Sequence, residues 1–294
     1  MRKLARREAV NCYLFISPWI IGFSVFIIGP MVTSFILSFA QCSIISPAKF
    51  VGLNNYIYMF TKDLAFRQSL KVTFIYTMGS VPLNLIGSLG LALLLNQKIP
   101  ALAWFRTGYY LPAIMTGVPV ALLWMWIFNP EYGIMNQLLY IFGIQGPAWL
   151  FSTEWVIPAF IIMSFWTIGG SMILYLAGLQ GIPTQLYEAA KIDGANKWYS
   201  FWKITLPLIT PVVFFNLVMS TIGSFQVFTQ AFVMTKGGPM NASLLYVLYL
   251  YRNAFSYFKM GYACGLAWIL FFIILFFTAL LFKFSNRWVY YEVK

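Results

Sequence analysis

Charge is placed so sparsely in this chain that long stretches contain none. Runs free of Lys, Arg, Asp and Glu lie between Glu8 and Lys49, Lys71 and Lys98, Arg106 and Glu131, Glu154 and Glu188, Lys203 and Lys236, and Lys259 and Lys283. Each can hold the ~20 mostly apolar residues that a helix needs to cross a bilayer. Soluble domains carry about a quarter charged residues. This chain of 294 residues carries 9%, against 61% hydrophobic, and could not cover a water-exposed surface. The reading is an all-α membrane protein with six transmembrane helices. A single domain over 1–294 has spans at 13–38, 71–95, 105–128, 156–179, 207–232 and 260–283. The first is expected to be retained, because 13–40 is too long for a signal-peptide core and lacks a clear small-residue cleavage site.

A seventh charge-free window, 132–153, is read differently. Asn136, Gln137 and Gln145 are polar, and Gly143, Gly146 and Pro147 break a helix, while Ile134, Leu138, Leu139 and Phe142 recur at helical spacing. A short helix on the outer face fits this pattern.

The net charge of +12 reads as membrane topology and not as nucleic-acid binding. With six spans and the N-terminus inside, the inner face receives Arg2, Lys3, Arg6, Arg7, Lys98, Arg106, Lys191, Lys197, Lys203, Lys283, Arg287 and Lys294. The outer face receives Lys49, Lys62, Arg67, Lys71, Lys236, Arg252 and Lys259. Twelve against seven satisfies the positive-inside rule and places both termini in the cytoplasm. Histidine is absent, and Cys12, Cys42 and Cys264 lie far apart. A disulfide framework and a His/Cys metal site are excluded.

The stretch 187–211 is the longest polar interruption in the second half of the chain. It holds Glu188 and Asp193, two of only seven acidic residues, with Lys191, Lys197 and Lys203. Thr184 suits a helix start, 185–192 is helical, and Asp193-Gly194 is a stop signal. A second short helix is expected from Asn196 to Thr205, with Trp198, Phe201, Trp202 and Thr205 on one face at interfacial depth. Leu206-Pro207 then opens the fifth span. Residues 183–207 thus form a cytoplasmic loop of two short helices bent at Gly194. It serves as a membrane-surface anchor or as a docking element.

Uncharged polar residues inside spans mark a second candidate site. In the fifth span Asn216, Ser220, Gly223, Ser224 and Val227 form one stripe, with Gln226 and Gln230 offset from it. In the fourth, Trp166, Thr167, Gly170 and Ser171 cluster around Gly169-Gly170, and Asn84 lies beside Pro82 in the second. Such residues either line a path or pack spans together. Pro30, Pro82, Pro112 and Pro119 interrupt three of the spans, which lipid tolerates where neighbours satisfy the freed backbone groups.

Glu188-Ala189-Ala190, Asp193-Gly194-Ala195 and Ile204-x-Leu206-Pro207 with Pro211 resemble the EAA loop of ATP-binding-cassette (ABC) importer permeases. The resemblance runs over nearly the whole chain. Residues 50–56 (FVGLNNY), Phe105-Arg106 with Leu111-Pro112, Pro130-x-Tyr132-Gly133-x-x-Asn136, Thr235-x-Gly237-Gly238-Pro239 and Tyr251-x-x-Ala254-Phe255 are similar to segments of the carbohydrate-uptake branch, that of the maltose and glycerol-phosphate permeases. The resemblance implies the type I ABC importer (MetI-like) fold in the cytoplasmic (inner) membrane of a prokaryote. It implies a second permease subunit, two cytoplasmic ATPase subunits and an extracytoplasmic solute-binding protein that delivers a sugar. Glu188, Ala189, Ala190, Asp193, Gly194 and Ala195 would couple to the ATPase. Trp166, Thr167, Gly170, Asn216, Ser220, Gly223 and Ser224 would border the substrate path. ATP and its Mg would be held by the partner. This chain has no GxxxxGK[ST] phosphate loop, and no cofactor or catalytic set of its own is expected.

Outside, Tyr246, Tyr249, Tyr251 and Arg252 are expected to meet the binding protein, or to sit in the membrane's aromatic belt. The alternative function is a stand-alone secondary carrier. It needs paired repeats or ionisable groups within spans, and the spans contain no acid.

Overall fold

The computed structural model describes residues 2–43, 46–97, 100–115 and 117–290. Lys98 and Lys294, both counted on the inner face above, lie outside the described residues. The chain divides into two compact units, Met1–Asp63 with Leu250–Ile269, and Leu64–Tyr249 with Leu270–Lys294.

The first unit opens with α1 (Arg2–Phe23), a π-helical turn at Ser24–Ile28, and α2 (Gly29–Ser38). Pro30 explains the π turn. Proline has no N–H and its ring crowds the carbonyl four residues back. The helix widens just before it, so that the Gly29 N–H bonds to Ser24 O. The apolar helix Val10–Ser38 buries none of its most apolar window within the chain, as suits a helix facing lipid or another subunit. A two-residue ribbon, β1 (Ala40–Gln41) with β2 (Lys49–Phe50), leads to α3 (Asn54–Thr61). Asn55 and Tyr56, part of the motif at 50–56, pin the end of α2. The Asn55 amide donates to Ser38 O at 2.8 Å and Ala40 O at 3.0 Å, and the Tyr56 hydroxyl donates to Ser38 Oγ at 2.7 Å. The Tyr262 hydroxyl donates to the buried carboxylate of Asp63.

The second unit holds α4 (Leu64–Leu95), α5 (Leu102–Ile114), α6 (Val118–Ile127), α7 (Ile134–Ile141), α8 (Val156–Ser164) and α9 (Ile168–Gln180). These are followed by α10 (Thr184–Ile192), α11 (Lys197–Ser200), α12 (Leu206–Phe225), and most of α13 (Tyr246–Tyr251) and of α14 (Met260–Ser285). Its core joins Leu91, Ala92 and Leu95 of α4 to Met172, Tyr175, Leu176 and Leu179 of α9 and Ile209 of α12. Lipid is as apolar as these side chains, so close packing rather than water exclusion holds such helices together. Glycines permit it. A Cβ on Gly169 would stand 2.0 Å from Tyr109 O, and one on Gly178 2.9 Å from Val212 Cγ2.

Among the described residues, five helices are long and apolar enough to cross a membrane, and six if α5 and α6 form one broken span. The third expected span, 105–128, is two helices with a break between them, in the span that Pro112 and Pro119 were read as interrupting. The window 132–153 contains only α7, a positive-φ turn at Gly143 and the 3₁₀ turn Trp149–Phe151. Asn136 organises it by donating to Pro130 O and Pro147 O and accepting from Trp149 Nε1 at 2.6 Å.

Candidate functional site: an exposed turn and a polar cleft

Helix α10 ends in a complete glycine cap. The Gly194 N–H bonds to Lys191 O at 3.1 Å, and the Ala195 N–H to Ala190 O at 2.8 Å. Gly194 has φ +79°, a conformation that only glycine enters without a steric penalty. Asn196 then starts the next helix, its Oδ1 accepting from the Tyr199 N–H at 2.7 Å. Two opposed caps thus build a rigid corner from the Asp193-Gly194-Ala195 segment. Ala190, Asp193, Gly194, Ala195, Asn196 and Tyr199 line a hollow of about 440 Å³ there. Glu188, Ala189, Asp193 and Gly194 are exposed, while Ala190 and Ala195 are half-buried. The corner is therefore a surface open to a partner.

The corner is bound to the membrane helices more tightly than expected. The Tyr187 hydroxyl is 2.9 Å from Thr205 Oγ1, and Tyr187 packs on the α4/α9/α12 core. The short helix expected at 196–205 does not end at Leu206. Lys197–Phe225 is one helix of 29 residues. Its π turn at Phe201–Thr205, with the Leu206 N–H bonded to Phe201 O, lets the helix continue through Pro207, as at Pro30. Proline was read as a helix start. Here it is the cause of a wider turn within a continuous helix. The rings of Trp198, Phe201 and Trp202 do cluster, with centroids 5.3–6.2 Å apart.

The intramembrane polar residues separate into two sets. Trp166, Thr167 and Gly223 border a cleft of about 330 Å³ with Gln226, Val227 and Gln230. Thr167, Ser171, Ser220, Gly223 and Ser224 border an adjoining one of about 240 Å³, with Tyr76, Ser80 and Asn84 of α4. A Cβ on Gly223 would meet nothing within 4 Å, so this glycine faces open space and is not helix glue. Trp166 Nε1 and Gln230 Oε1, a donor and an acceptor, have no hydrogen-bond partner among the described residues.

Asn216 and Gly170 fall outside both linings. Asn216 is 2% exposed and its amide returns to Val212 O at 3.0 Å. A Cβ on Gly170 would lie 3.7 Å from Ala113. The helical stripe was right in period, but its lower end points into packing. Tyr76 and Ser80 were not among the expected lining residues, although Ser69, Thr73, Thr77, Ser80, Asn84 and Ser88 of α4 recur at i+4 and i+3 steps, a signal that could have shown this wall. The expected outer tyrosine surface is also displaced. Tyr246 and Tyr249 are buried, at 0% and 8% exposure, since the Tyr246 N–H bonds to Thr73 Oγ1 and its ring meets Phe66.

Residues 99–291 match the family described as the binding-protein-dependent transport system inner membrane component. The chain is 45% identical to the probable ABC transporter permease protein YesP of Bacillus subtilis, over 98% of this chain and 94% of that protein. It is 37% identical to the trehalose/maltose transport system permease protein MalF of Thermococcus litoralis, over 90% and 89%. Its fold matches a chain of the bacterial alginate ABC transporter, solved in complex with an alginate pentasaccharide-bound periplasmic protein. The TM-score is 0.85 at 24% identity, covering 100% and 99% of the two chains. The chain therefore belongs to the inner-membrane components of binding-protein-dependent transport systems, the permease subunits of ABC importers.

Proposed function

We propose that this chain is one of two non-identical permease subunits of an importer that passes a sugar or oligosaccharide into a prokaryotic cell. ATP hydrolysis on two cytoplasmic partner subunits drives it. The observation that carries the reading is one continuous helix. Lys197–Phe225 starts at the exposed corner 188–196 and ends beside the cleft at Ser220, Gly223 and Ser224. At 1.5 Å per residue it spans about 43 Å. A displacement of the corner by an ATPase subunit reaches the cleft without crossing a loop, which is the helix-shift type of switching. Both termini and the corner face the cytoplasm in this reading, in line with the Lys/Arg distribution.

The saccharide class is supported by the cleft and by the relatives. Among the described residues, none that borders it is charged. Thr167, Ser220, Gln226 and Gln230 offer hydroxyl and amide groups that complement sugar hydroxyls, and Trp166 offers an aromatic face. The trehalose/maltose permease and the alginate importer both carry saccharides, as their names state.

The test is uptake of labelled oligosaccharides by proteoliposomes holding the whole complex and its binding protein. The expected result is uptake that needs internal ATP and is indifferent to a proton ionophore. Ionophore-sensitive uptake without ATP would contradict it.

A further inference from the structure

The burial of Tyr246 and Tyr249 leaves open where an external partner binds. Among the described residues, the most exposed large hydrophobic side chain in the second unit is Met240, at 91%. It sits on the turn 236–241, beyond the end of α12 that is remote from the corner at 188–196. Lys236, Met240 and Asn241 have φ of 49°, 47° and 61°, a region that side-chain-bearing residues rarely occupy. Such strain persists only where surroundings impose it. Here they do. Ser243 Oγ donates to Gly238 O at 2.6 Å and lies 2.7 Å from Thr235 Oγ1, and the Ala242 N–H bonds to Pro239 O at 2.7 Å. Beneath them Ser243, Leu244 and Leu245 are at most 1% exposed. The turn is a braced projection. Gln68 of α4 reaches its Asn241 O at 3.4 Å. Between turn and helix lies a concavity of about 600 Å³, with exposed Arg67 and Lys71 one helical turn apart on its wall.

We propose that the turn 236–241 with Arg67 and Lys71 is the docking surface for an acidic patch on the extracytoplasmic solute-binding protein, with Met240 entering an apolar pocket on it. This rests on the permease reading and on its orientation. Charge complementarity selects the partner. The segments assigned to the outer face carry seven Lys and Arg but only Asp63, Glu131 and Glu154 as acids. Complementary charge steers encounter and fixes register. Methionine is an adaptable apolar contact, and a rigid projection loses little freedom on binding.

The test uses the assembled complex in phosphatidylcholine nanodiscs. It measures the concentration of sugar-loaded binding protein that half-maximally stimulates ATP hydrolysis. Lys71→Glu and Met240→Asp, separately and together, are expected to be recovered at wild-type yield. Each should raise that concentration, the pair at least tenfold, and the wild-type value should rise with salt. Unchanged values in both single variants would overturn the docking surface while leaving the permease reading intact. So would variants that alter only the response of the complex to added phosphatidylglycerol, because the cations would then serve lipid headgroups. A wild-type complex that no binding protein stimulates would overturn the permease reading, and the docking surface with it.

Discussion

At the scale of single residues, Gly194 carries the sharpest expectation. Its φ of +79° costs an L-residue about 1–2 kcal/mol, and proline cannot adopt it at all. Gly194→Pro also removes the N–H that bonds to Lys191 O. It should abolish uptake and stimulated ATP hydrolysis while the chain still inserts, as read by membrane fractionation beside a transport assay. Glu188→Lys, on an exposed site, should change stability by under about 0.5 kcal/mol and also abolish uptake. Normal uptake in either variant would remove the corner from the coupling role. Tyr187→Phe deletes one hydrogen bond, to Thr205, worth about 0.5–1.5 kcal/mol. It should lower the uptake supported per ATP hydrolysed without loss of expression. Two glycines give a contrasting pair. Gly169→Ala places a methyl 2.0 Å from Tyr109 O and should deplete the protein from the membrane. Gly223→Leu, with open space around it, should leave expression intact and reduce uptake at least severalfold. The sequence marked Gly194, Glu188, Gly169 and Gly223 but could not rank the last two. Both lie in polar-rich helical stretches, and only the neighbouring helix decides which is pressed against backbone.

At the scale of elements, the continuity of Lys197–Phe225 distinguishes a mechanical lever from a mere docking post. Two glycines inserted after Ser200 would leave the corner 188–196 intact and interrupt the lever. The ATPase subunits should still co-purify with this variant, while sugar-stimulated hydrolysis and uptake fall to background. Uptake at the wild-type rate would show that the helix need not be continuous. Charge placement made most of the spans legible, since a span is defined by what it excludes. The corner was legible because Asp-Gly and a following Asn are local signals that act within a few residues. The π turns were not. Pro207 looked like a helix boundary by local rules and Pro30 like a break within a span, whereas in each case the helix widens into a π turn and runs on through the proline, which no local rule encodes. The burial of Tyr246 and Tyr249 was hidden for the same reason. Aromatic residues next to a span suit a membrane belt, a partner surface or a core equally well. Thr73, which receives the Tyr246 N–H, is 173 residues away.

At the scale of the whole molecule, this chain presents an exposed corner at one end of a long helix, a cleft with no charged residue among those described at the other, and a first helix, Val10–Ser38, whose most apolar window is unburied. Each feature calls for other chains. The central claim is therefore that the protein works only as part of an assembly whose power comes from a partner. The most direct measurement is gentle affinity purification of the chain from its native membranes, with every co-eluting protein identified and ATP hydrolysis assayed in the eluate. The account predicts a second permease and an ATPase subunit in the eluate, with hydrolysis stimulated by a sugar-loaded binding protein. A chain that elutes alone under several mild detergents, with no ATPase activity, would contradict it.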